Sequence, residues 1–387
     1  MVTRLLTNIG ELLTNDPRLG DETPVGRVRD AAIIVNEDHV LWVGPAAQAP
    51  DADERHNAHG AAVIPGFVDS HTHLIFAGDR SDEFEARMAG QRYDGGGISR
   101  TVAATRAASD DELRRVSAVR LGALRAGGIT TVEVKSGYAL DVEGEARLVR
   151  LAEELTDEVT FLGGHVVPGE YAQNREGYVE LVAGEMLRRC FQAKWTDVFC
   201  DEGAFDVDEA RVILSAARHA GHQVRLHANQ LRDIGAVALA VEMGCASVDH
   251  CTHVGDHDVE RLAASTTVAT LLPGAEFSTR SPYPSGRRFL DAGVTVALAT
   301  DCNPGTSYVT SMSFVIALAV REMGLSVDEA LWAATRGGAR ALRREDVGHL
   351  GVGARADLVV FNAPRVAHLA YQPGAQLVKE VWRAGTE

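Results

Sequence analysis

The feature that most limits the possible folds is a regular alternation of short apolar runs with stretches long enough for helices. A first run begins at Val63 and leads into His71. Seven more apolar or β-branched runs follow it, at residues 129–134, 159–167, 196–200, 223–227, 246–250, 266–272 and 294–300. The gaps are helical in length and pattern: residues 206–220, for example, carry Ala210 and Ile213 on one apolar face. Eight such units predict an α/β fold, a (β/α)8 barrel of the TIM type, rather than an open doubly wound sheet.

The two ends of the chain have a different texture. Short strand patterns without long helical stretches occur at residues 31–35 and 39–43 near one end, and at 356–361 and 377–382 near the other. We therefore predict a small β-sandwich-like domain built from residues 1–63 plus 345–387, with the barrel occupying residues 64–344.

Composition excludes several classes of partner. The net charge of −16 argues against a nucleic acid or an anionic membrane surface, and the sequence has no apolar span of the length of a transmembrane helix. The first residues lack the apolar core of a signal peptide, so we expect a cytoplasmic protein. The five cysteines are scattered along the sequence and form no Cys-x-x-Cys pair, which indicates buried thiols. An anionic substrate would need a local cation of its own.

Histidines at predicted strand ends indicate a metal site. His71 and His73 are two residues apart, so in an extended strand both rings project from the same face. Such a pair could arise by chance, and a single histidine at a strand end is usually structural. However, the carboxyl ends of other predicted strands carry His165, His227, His250 and Asp301. Strand ends of a barrel converge on one site, and imidazole with carboxylate suits zinc or iron.

Several motifs resemble one known family. The stretch from Pro65 to His73 resembles the opening signature of the amidohydrolase superfamily, which has His-x-His on strand one, His on strands five and six and Asp on strand eight. Within that superfamily the chain is similar to the imidazolonepropionase family of histidine degradation. The matching segments cover nearly the whole chain: residues 71–81, Tyr93 with 95–98, 134–138, 165–168, His227 with Gln230, and 301–306.

The resemblance implies a metal-dependent hydrolase acting on a cyclic amide or amidine. It implies one metal ion, zinc or iron, held by His71, His73, His227 and Asp301. The reaction would be hydrolysis of the ring C–N bond of 4-imidazolone-5-propanoate to N-formimidoyl-L-glutamate. Asp301 would move the proton and His250 would stabilise the oxyanion, while the metal would lower the pKa of a water. Lys135 lies on strand two, not strand four, so we interpret it as structural rather than as a carbamylated bridging ligand.

The same resemblance assigns the contacts of a small anionic substrate. Arg80, seven residues after His73, would bind the propanoate, because a guanidinium pairs with a carboxylate through two parallel hydrogen bonds. The remaining expected contacts are Tyr93, Tyr138, His165, Gln230, Asn303, Gly305 and Thr306.

Two alternatives stay open at this point. A deaminase of a purine or pyrimidine would share the ligand set but would not require the cation at Arg80. A non-catalytic barrel that binds a metal for regulation or assembly would keep the ligands without turnover. The family resemblance also implies a homodimer.

Overall fold

Eight parallel strands form a nearly closed barrel in the computed structural model, which describes residues 2–91 and 97–385. The strands of the whole chain are β1 Arg4–Leu13, β2 Arg27–Val35, β3 Val40–Pro45, β4 Glu54–Asn57, β5 Ala62–Pro65, β6 Phe67–Asp69, β7 Ile129–Lys135, β8 Glu158–Gly164, β9 Trp195–Cys200, β10 Gln223–Val224, β11 Leu226–Ala228, β12 Ser247–His250, β13 Val268–Leu271, β14 Val296–Leu298, β15 Leu358–Phe361 and β16 Val378–Trp382.

Helices fill the connections between the barrel strands, and further helices follow the last barrel strand. They are α1 Ser81–Met88, α2 Ile98–Ala107, α3 Asp110–Ala126, α4 Val142–Glu153, α5 Arg175–Leu181, α6 Leu187–Arg189, α7 Val207–His219, α8 Ala236–Glu242, α9 Asp256–Ala263, α10 Pro273–Thr279, α11 Gly286–Asp291, α12 Met312–Glu322, α13 Val327–Trp332, α14 Gly338–Ala341 and α15 His368–Tyr371. Short 3₁₀ turns lie at Ala46–Gln48 and Gly169–Tyr171, and π-helical turns at Val182–Met186 and Ala333–Gly337.

The barrel sheet has the order β14-β13-β12-β11-β9-β8-β7-β6, with β10 also paired to β9. The segments β10 and β11 are one predicted strand interrupted at Arg225, which keeps the count at eight. Backbone hydrogen bonds join the segment after β6 to the segment after β14: the Asp301 amide donates to the His71 carbonyl, and the His73 amide to the Cys302 carbonyl. The predicted barrel is confirmed.

Local sequence explains the regular elements. Every residue of β8, β12 and β13 is buried, as expected for parallel strands covered on both faces. Helix α7 begins after Asp206, whose side chain accepts from the Glu209 amide in a complete capping box. The predicted helix over 206–220 is thus confirmed to within one residue at each end.

The first predicted strand is wrong as a single strand. The apolar run divides at Gly66 into β5, which pairs with β1 and β15, and β6, which belongs to the barrel. A side chain at Gly66 would place its Cβ 2.1 Å from Thr130 Oγ1, so the chain passes too close there for any larger residue. Apolar periodicity alone does not reveal where a run changes sheets.

The strands near both ends of the chain form a separate mixed sheet. Its order is β16-β15-β5-β1-β2-β3, and β4 pairs with β1. One face of this sheet builds a core that includes Ile9, Leu12, Ile33, Val63 and Val360. The prediction that both termini contribute to one β-rich part is confirmed by this sheet.

The chain divides into two compact units. One comprises Met1–Asp69, Ala123–Thr131 and Ser311–Glu387, and the other Ser70–Gly122 and Val132–Thr310. The predicted domain boundaries at residues 63 and 345 stay a prediction. Within the described residues, none of the helices combines the length and apolar character needed to cross a bilayer.

Candidate metal centre and substrate cavity

The carboxyl ends of the barrel strands bring four of the predicted ligands together. His71 and His73 follow β6, His227 lies within β11, and Asp301 follows β14. The Nε2 atoms of His73 and His71 are 3.3 Å apart, as are those of His227 and His73. Asp301 Oδ1 lies 3.5 Å from Nε2 of both His71 and His73. These side chains are almost completely buried, so the cluster forms one enclosed group of nitrogen and oxygen donors.

His250 completes the ring cluster at the end of β12. Its ring centroid lies 5.4 Å from that of His227 and 5.7 Å from that of His71. The backbone of His250 has φ 76° and that of Asp301 φ 52°, both in the left-handed region. Such a conformation costs a non-glycine residue about 1–2 kcal/mol and is concentrated at functional sites. The two residues assigned catalytic roles are therefore held by backbone that turns sharply out of its strand.

Two buried carboxylates orient the imidazole rings. His71 Nδ1 lies 2.8 Å from Asp249 Oδ2, and His227 Nδ1 lies 2.9 Å from Asp197 Oδ2. A neutral histidine that donates its Nδ1–H to a carboxylate presents a lone pair on Nε2, the nitrogen that both rings turn toward the cluster. Sequence reasoning missed both aspartates. The available signal was a charged residue inside each of two otherwise apolar strand runs.

Below these carboxylates lies a fully buried network of charges. Lys135 Nζ is 2.9 Å from both Glu133 Oε1 and Asp197 Oδ2. Arg225 Nη2 is 3.3 Å from Asp249 Oδ2 and donates to the Ser70 carbonyl at 2.6 Å. The ammonium of Lys135 therefore pairs with carboxylates that hold the site, which agrees with the structural role predicted for it.

Burial keeps the imidazoles of His71, His73, His165 and His250 neutral. Burial, with nearby Lys135 and the other imidazoles, holds the pKa values of His71 and His73 well below the ordinary 6.5. Burial does the same for the pKa of His250, and it lowers the pKa of His165 to about 3. Although burial opposes it, the pKa of the Asp197 carboxyl is held well below its usual range by His227 and Lys135. Metal binding requires neutral imidazole, the state favoured here for His71 and His73.

The donor set fits a metal ion by spacing and by charge. In a tetrahedral site with metal–nitrogen distances of about 2.0–2.1 Å, neighbouring ligand atoms lie about 3.3–3.4 Å apart. The separations of 3.3–3.5 Å in the cluster match that value. With its carboxylates ionised, the buried group of four acidic residues and two cations carries two negative charges, which a divalent ion would neutralise. The members of that group are Glu133, Asp197, Asp249, Asp301, Lys135 and Arg225.

A cavity of about 410 Å³ opens above the cluster. Its wall contains every described residue that the sequence predicted for metal, catalysis or substrate except His71. These residues are His73, Arg80, Tyr138, His165, His227, Gln230, His250, Asp301, Asn303, Gly305 and Thr306. Tyr93, the remaining predicted contact, lies outside the described residues.

Arg80 is already engaged by a neighbouring carboxylate. Its Nε lies 3.0 Å from both carboxylate oxygens of Glu83, and its Nη2 donates to Glu83 Oε2 at 2.6 Å. The guanidinium itself is buried, with only 5% of Arg80 exposed. Glu83 was not among the predicted site residues.

Buried acceptors hold the loops that carry the predicted substrate contacts. Asp201 accepts from the Gln230 amide at 2.6 Å and from the next two amides of that loop. Glu145 accepts from the amides of residues 137, 139 and 140, which flank Tyr138. Asn303 uses its side-chain oxygen for the amides of Gly305 and Thr306, at 2.8 Å each. These are long-range or loop contacts that the sequence did not indicate.

His165 packs directly over the ligand cluster. Its ring is stacked on that of His73, with centroids 5.5 Å apart, and its Nδ1 lies 2.8 Å from the Gly137 carbonyl. That carbonyl accepts the Nδ1 proton, so Nε2 is the acceptor nitrogen of the neutral ring. Tyr138 lies beside it at a centroid distance of 5.2 Å.

Comparisons with known proteins decide the family. The model of the amidohydrolase family matches residues 92–387. An imidazolonepropionase of Streptomyces griseus is 57% identical over 386 residues, covering 100% of this chain and 99% of that protein. Another, of Mycolicibacterium smegmatis, is 59% identical over 387 residues, covering 100% of this chain and 97% of that protein.

The chain belongs to the imidazolonepropionase family of amidohydrolases. It is therefore an enzyme of the hydrolase class, as the sequence motifs predicted.

Solved structures of other amidohydrolases share the fold. A mutant atrazine chlorohydrolase from Arthrobacter aurescens, in complex with zinc, matches with a TM-score of 0.75 and 18% identity, covering 98% of this chain and 93% of that one. An adenosine deaminase from Xanthomonas campestris with bound zinc matches with a TM-score of 0.72 and 19% identity, covering 99% and 92%. At these identities the likeness shows a shared fold alone. It does not assign the residues of this chain that contact a substrate.

Proposed function

We propose that the protein hydrolyses 4-imidazolone-5-propanoate to N-formimidoyl-L-glutamate, a step of histidine degradation. The observation that carries this proposal is that one cavity is lined by both the histidine–aspartate cluster and Arg80. A cyclic amide with a carboxylate side chain needs that combination: a centre that activates water at one end and a cation at the other.

The metal would be a single zinc or iron ion held by His71, His73, His227 and Asp301. Three neutral imidazoles, one carboxylate and an open position are typical of hydrolytic sites. When bound, the ion supplies Lewis acidity toward the ring carbonyl and a water of lowered pKa. Iron accepts the same ligands, so elemental analysis of the purified protein must decide between the two metals.

The remaining chemistry falls to the side chains around the ring carbonyl. Water adds to the carbonyl carbon, Asp301 accepts the proton that the water loses, and the neutral ring of His250 donates a hydrogen bond to the developing oxyanion. The carbonyl carbon–nitrogen bond then breaks. Asp301 returns the proton to the departing nitrogen, which becomes the amidine nitrogen, and the carbonyl carbon becomes a carboxylate. One water is consumed and no other co-reactant is required.

The substrate would lie between this centre and Arg80. Its propanoate would pair with Arg80, while Tyr138 and His165 line the wall between the cluster and that cation. Gln230 would contact the ring through its amide. Asn303, Gly305 and Thr306 would bind the product-side groups, and the side-chain oxygen of Asn303 also accepts from the Gly305 and Thr306 amides. Tyr93 would be a further substrate contact.

The test is hydrolysis of freshly prepared 4-imidazolone-5-propanoate by metal-loaded protein and by chelator-stripped protein side by side. Loss of ring absorbance together with a mass gain of one water, only in the loaded sample, is the expected result. Turnover of uncharged purines or pyrimidines in its place would favour a deaminase. A protein that binds metal tightly but hydrolyses neither class would favour a non-catalytic barrel.

We also propose that the protein acts as a cytoplasmic homodimer and binds no nucleic acid. Its negative net charge supports the last point, because nucleic-acid binding requires clustered cations. Light scattering on a size-exclusion column would establish the oligomeric state directly.

A further inference from the structure

Arg87 is a buried arginine in the last turn of α1, and its guanidinium binds segments that follow two neighbouring barrel strands. Its Nη2 donates to the Gly305 carbonyl at 2.8 Å, and its Nε donates to the Ser278 carbonyl at 3.1 Å. Gly305 follows β14, and Ser278 lies in α10 after β13. Only 4% of Arg87 is exposed. The side chain therefore ties α1 to both segments from inside the protein.

Gly305 is also the point where the cavity wall meets Arg80. Its amide donates to the Asn303 side-chain oxygen at 2.8 Å, while its carbonyl accepts from Arg87. A Cβ added at Gly305 would lie 2.4 Å from Arg80 Nη1 and 2.8 Å from Cζ, so the backbone here is in direct contact with that guanidinium. A residue with a side chain could not approach so closely.

The segment from Asp301 to Ser307 is closed on itself by hydrogen bonds. The Asn303 amide donates to the Ser307 carbonyl at 2.9 Å, and Asn303 Nδ2 donates to the Asp301 carbonyl at 2.7 Å. These bonds fix the shape of the segment but not its position against α1. The bond from Arg87 to Gly305 joins the segment to that helix.

Arg80 and Arg87 stand at the two ends of the same helix. Arg80 immediately precedes α1, and Arg87 lies in its last turn. Their spacing in sequence corresponds to about two helical turns, so both side chains project from nearly the same face. Both contact Gly305. The helix therefore holds the predicted cation of the cavity and the wall beside it at one separation.

We propose that Arg87 is a positioning residue for substrate binding. It fixes the wall formed by residues 303–306 against α1, so that this wall and Arg80 face the substrate in one arrangement. Arg87 is not among the residues that line the cavity, so it acts through Gly305 and not by contact with the substrate. The proposal rests on the proposed function, because it takes that wall as a surface for the substrate and its product.

A purely structural role for Arg87 would give a different result. A buried guanidinium that bonds two carbonyls stabilises a fold wherever it lies, so its removal should lower the free energy of unfolding in either case. A positioning role adds a loss of substrate affinity, because the wall can then shift away from α1. Asp301 is held separately, by the bond from its amide to the His71 carbonyl. Metal affinity and kcat should therefore change little.

Two substitutions at this position grade the effect. Arg87→Met keeps an apolar stem of similar length but donates no hydrogen bond. Arg87→Lys keeps one compact ammonium, which cannot match the fork of a guanidinium toward two carbonyls. We expect Arg87→Met to raise KM about tenfold with kcat within about twofold of the wild type, and Arg87→Lys to raise KM about threefold.

Arg336 provides a matched control. It also donates to two backbone carbonyls, those of Glu345 and Val347, at 3.3 Å each. It belongs to the other compact unit of the chain and is not among the residues that line the cavity. Arg336→Met should lower the temperature of thermal unfolding and leave KM at the wild-type value.

A double-substitution cycle shows whether the effect passes through Gly305. Gly305→Ala places a methyl group against Arg80 and should displace the wall by itself. In that background Arg87→Met should add little further rise in KM. Losses that add fully would mean that Arg87 affects binding by another route, and they would overturn the proposed role.

Calorimetric binding of imidazole-4-propanoate, which has no ring carbonyl to hydrolyse, keeps the test independent of turnover. The expected Kd is about tenfold weaker for Arg87→Met than for the wild type and Arg336→Met, with equal zinc content in all three. If Arg87→Met does not fold, Arg87→Lys carries the same comparison with an expected loss of about threefold.

The outcomes separate this role from the proposed function. A wild type that binds the ligand but does not hydrolyse the imidazolone would refute the proposed function, and the variants would still judge Arg87. The positioning role is overturned if the Arg87 variants bind as tightly as the wild type, or if Arg336→Met loses as much affinity as they do. It is also overturned if the wild type does not bind the ligand.

Discussion

Replacing Asp249 by Asn tests whether the buried carboxylates set the affinity of the metal centre. Asp249 is fully buried, and its Oδ2 lies 2.8 Å from His71 Nδ1. Asparagine has nearly the same shape, so the packing of the barrel is kept. The substitution removes the negative charge that fixes the His71 tautomer and makes its Nε2 a better ligand.

The magnitude follows from the contacts that are lost. Removal of a carboxylate partner of a ligating histidine typically weakens metal binding by about 10–100-fold, or about 1.4–2.7 kcal/mol. Arg225 would also lose its nearest carboxylate, since Glu133 is 3.9 Å away from it. A buried charge that loses its partner costs up to about 3–5 kcal/mol, so the metal-free variant should be less stable as well.

The assay is competition for zinc against a chelator of known affinity, with thermal unfolding of the metal-free protein alongside. Glu158→Gln is the control. Glu158 is also a buried carboxylate and pairs with Lys194, but it lies at the start of β8 and not at the carboxyl ends of the strands. It should lower stability and leave zinc affinity unchanged. A zinc Kd for Asp249→Asn within about threefold of the wild type would refute the idea that Asp249 tunes His71 as a ligand.

Three further predictions concern the base, the cation and a buried acid. Asp301→Asn should lower kcat by about 10²–10⁴-fold through loss of the proton acceptor, and near-normal turnover would remove that assignment. Arg80→Lys should raise KM by about tenfold or more with metal content intact, because an ammonium cannot form the paired contact; an unchanged KM would contradict it. Burial raises the pKa of Glu276 to about 7, so its folded form keeps a proton that the unfolded chain loses near 4.5. The free energy of unfolding should therefore fall as pH rises from about 4.5 to 7. Glu276→Gln retains an acceptor for Thr252, and it should be more stable than the wild type by about 3 kcal/mol at pH 8 but not at pH 4.5. Denaturant titrations at both pH values would show this difference.

The sequence by itself determined the barrel and the composition of its centre. Strand runs and the residues at their ends are local properties, because alternation of side chains along a strand and the convergence of parallel strand ends follow from backbone geometry. His71, His227 and Asp301 could therefore be assigned to one site from the order of residues alone. The same reasoning failed at Gly66, where one apolar run serves two sheets.

The tertiary structure alone decided what surrounds those residues. Asp249 reaches His71 across 178 positions of sequence, and Glu83 takes one edge of Arg80. Neither pairing has a periodic signal, since it depends on how the barrel closes and on which glycines let the backbone approach. Closure also removes water from the cluster, and that burial sets the protonation of the imidazoles. The order of residues determines which groups are available, whereas burial and distance determine their charge and direction.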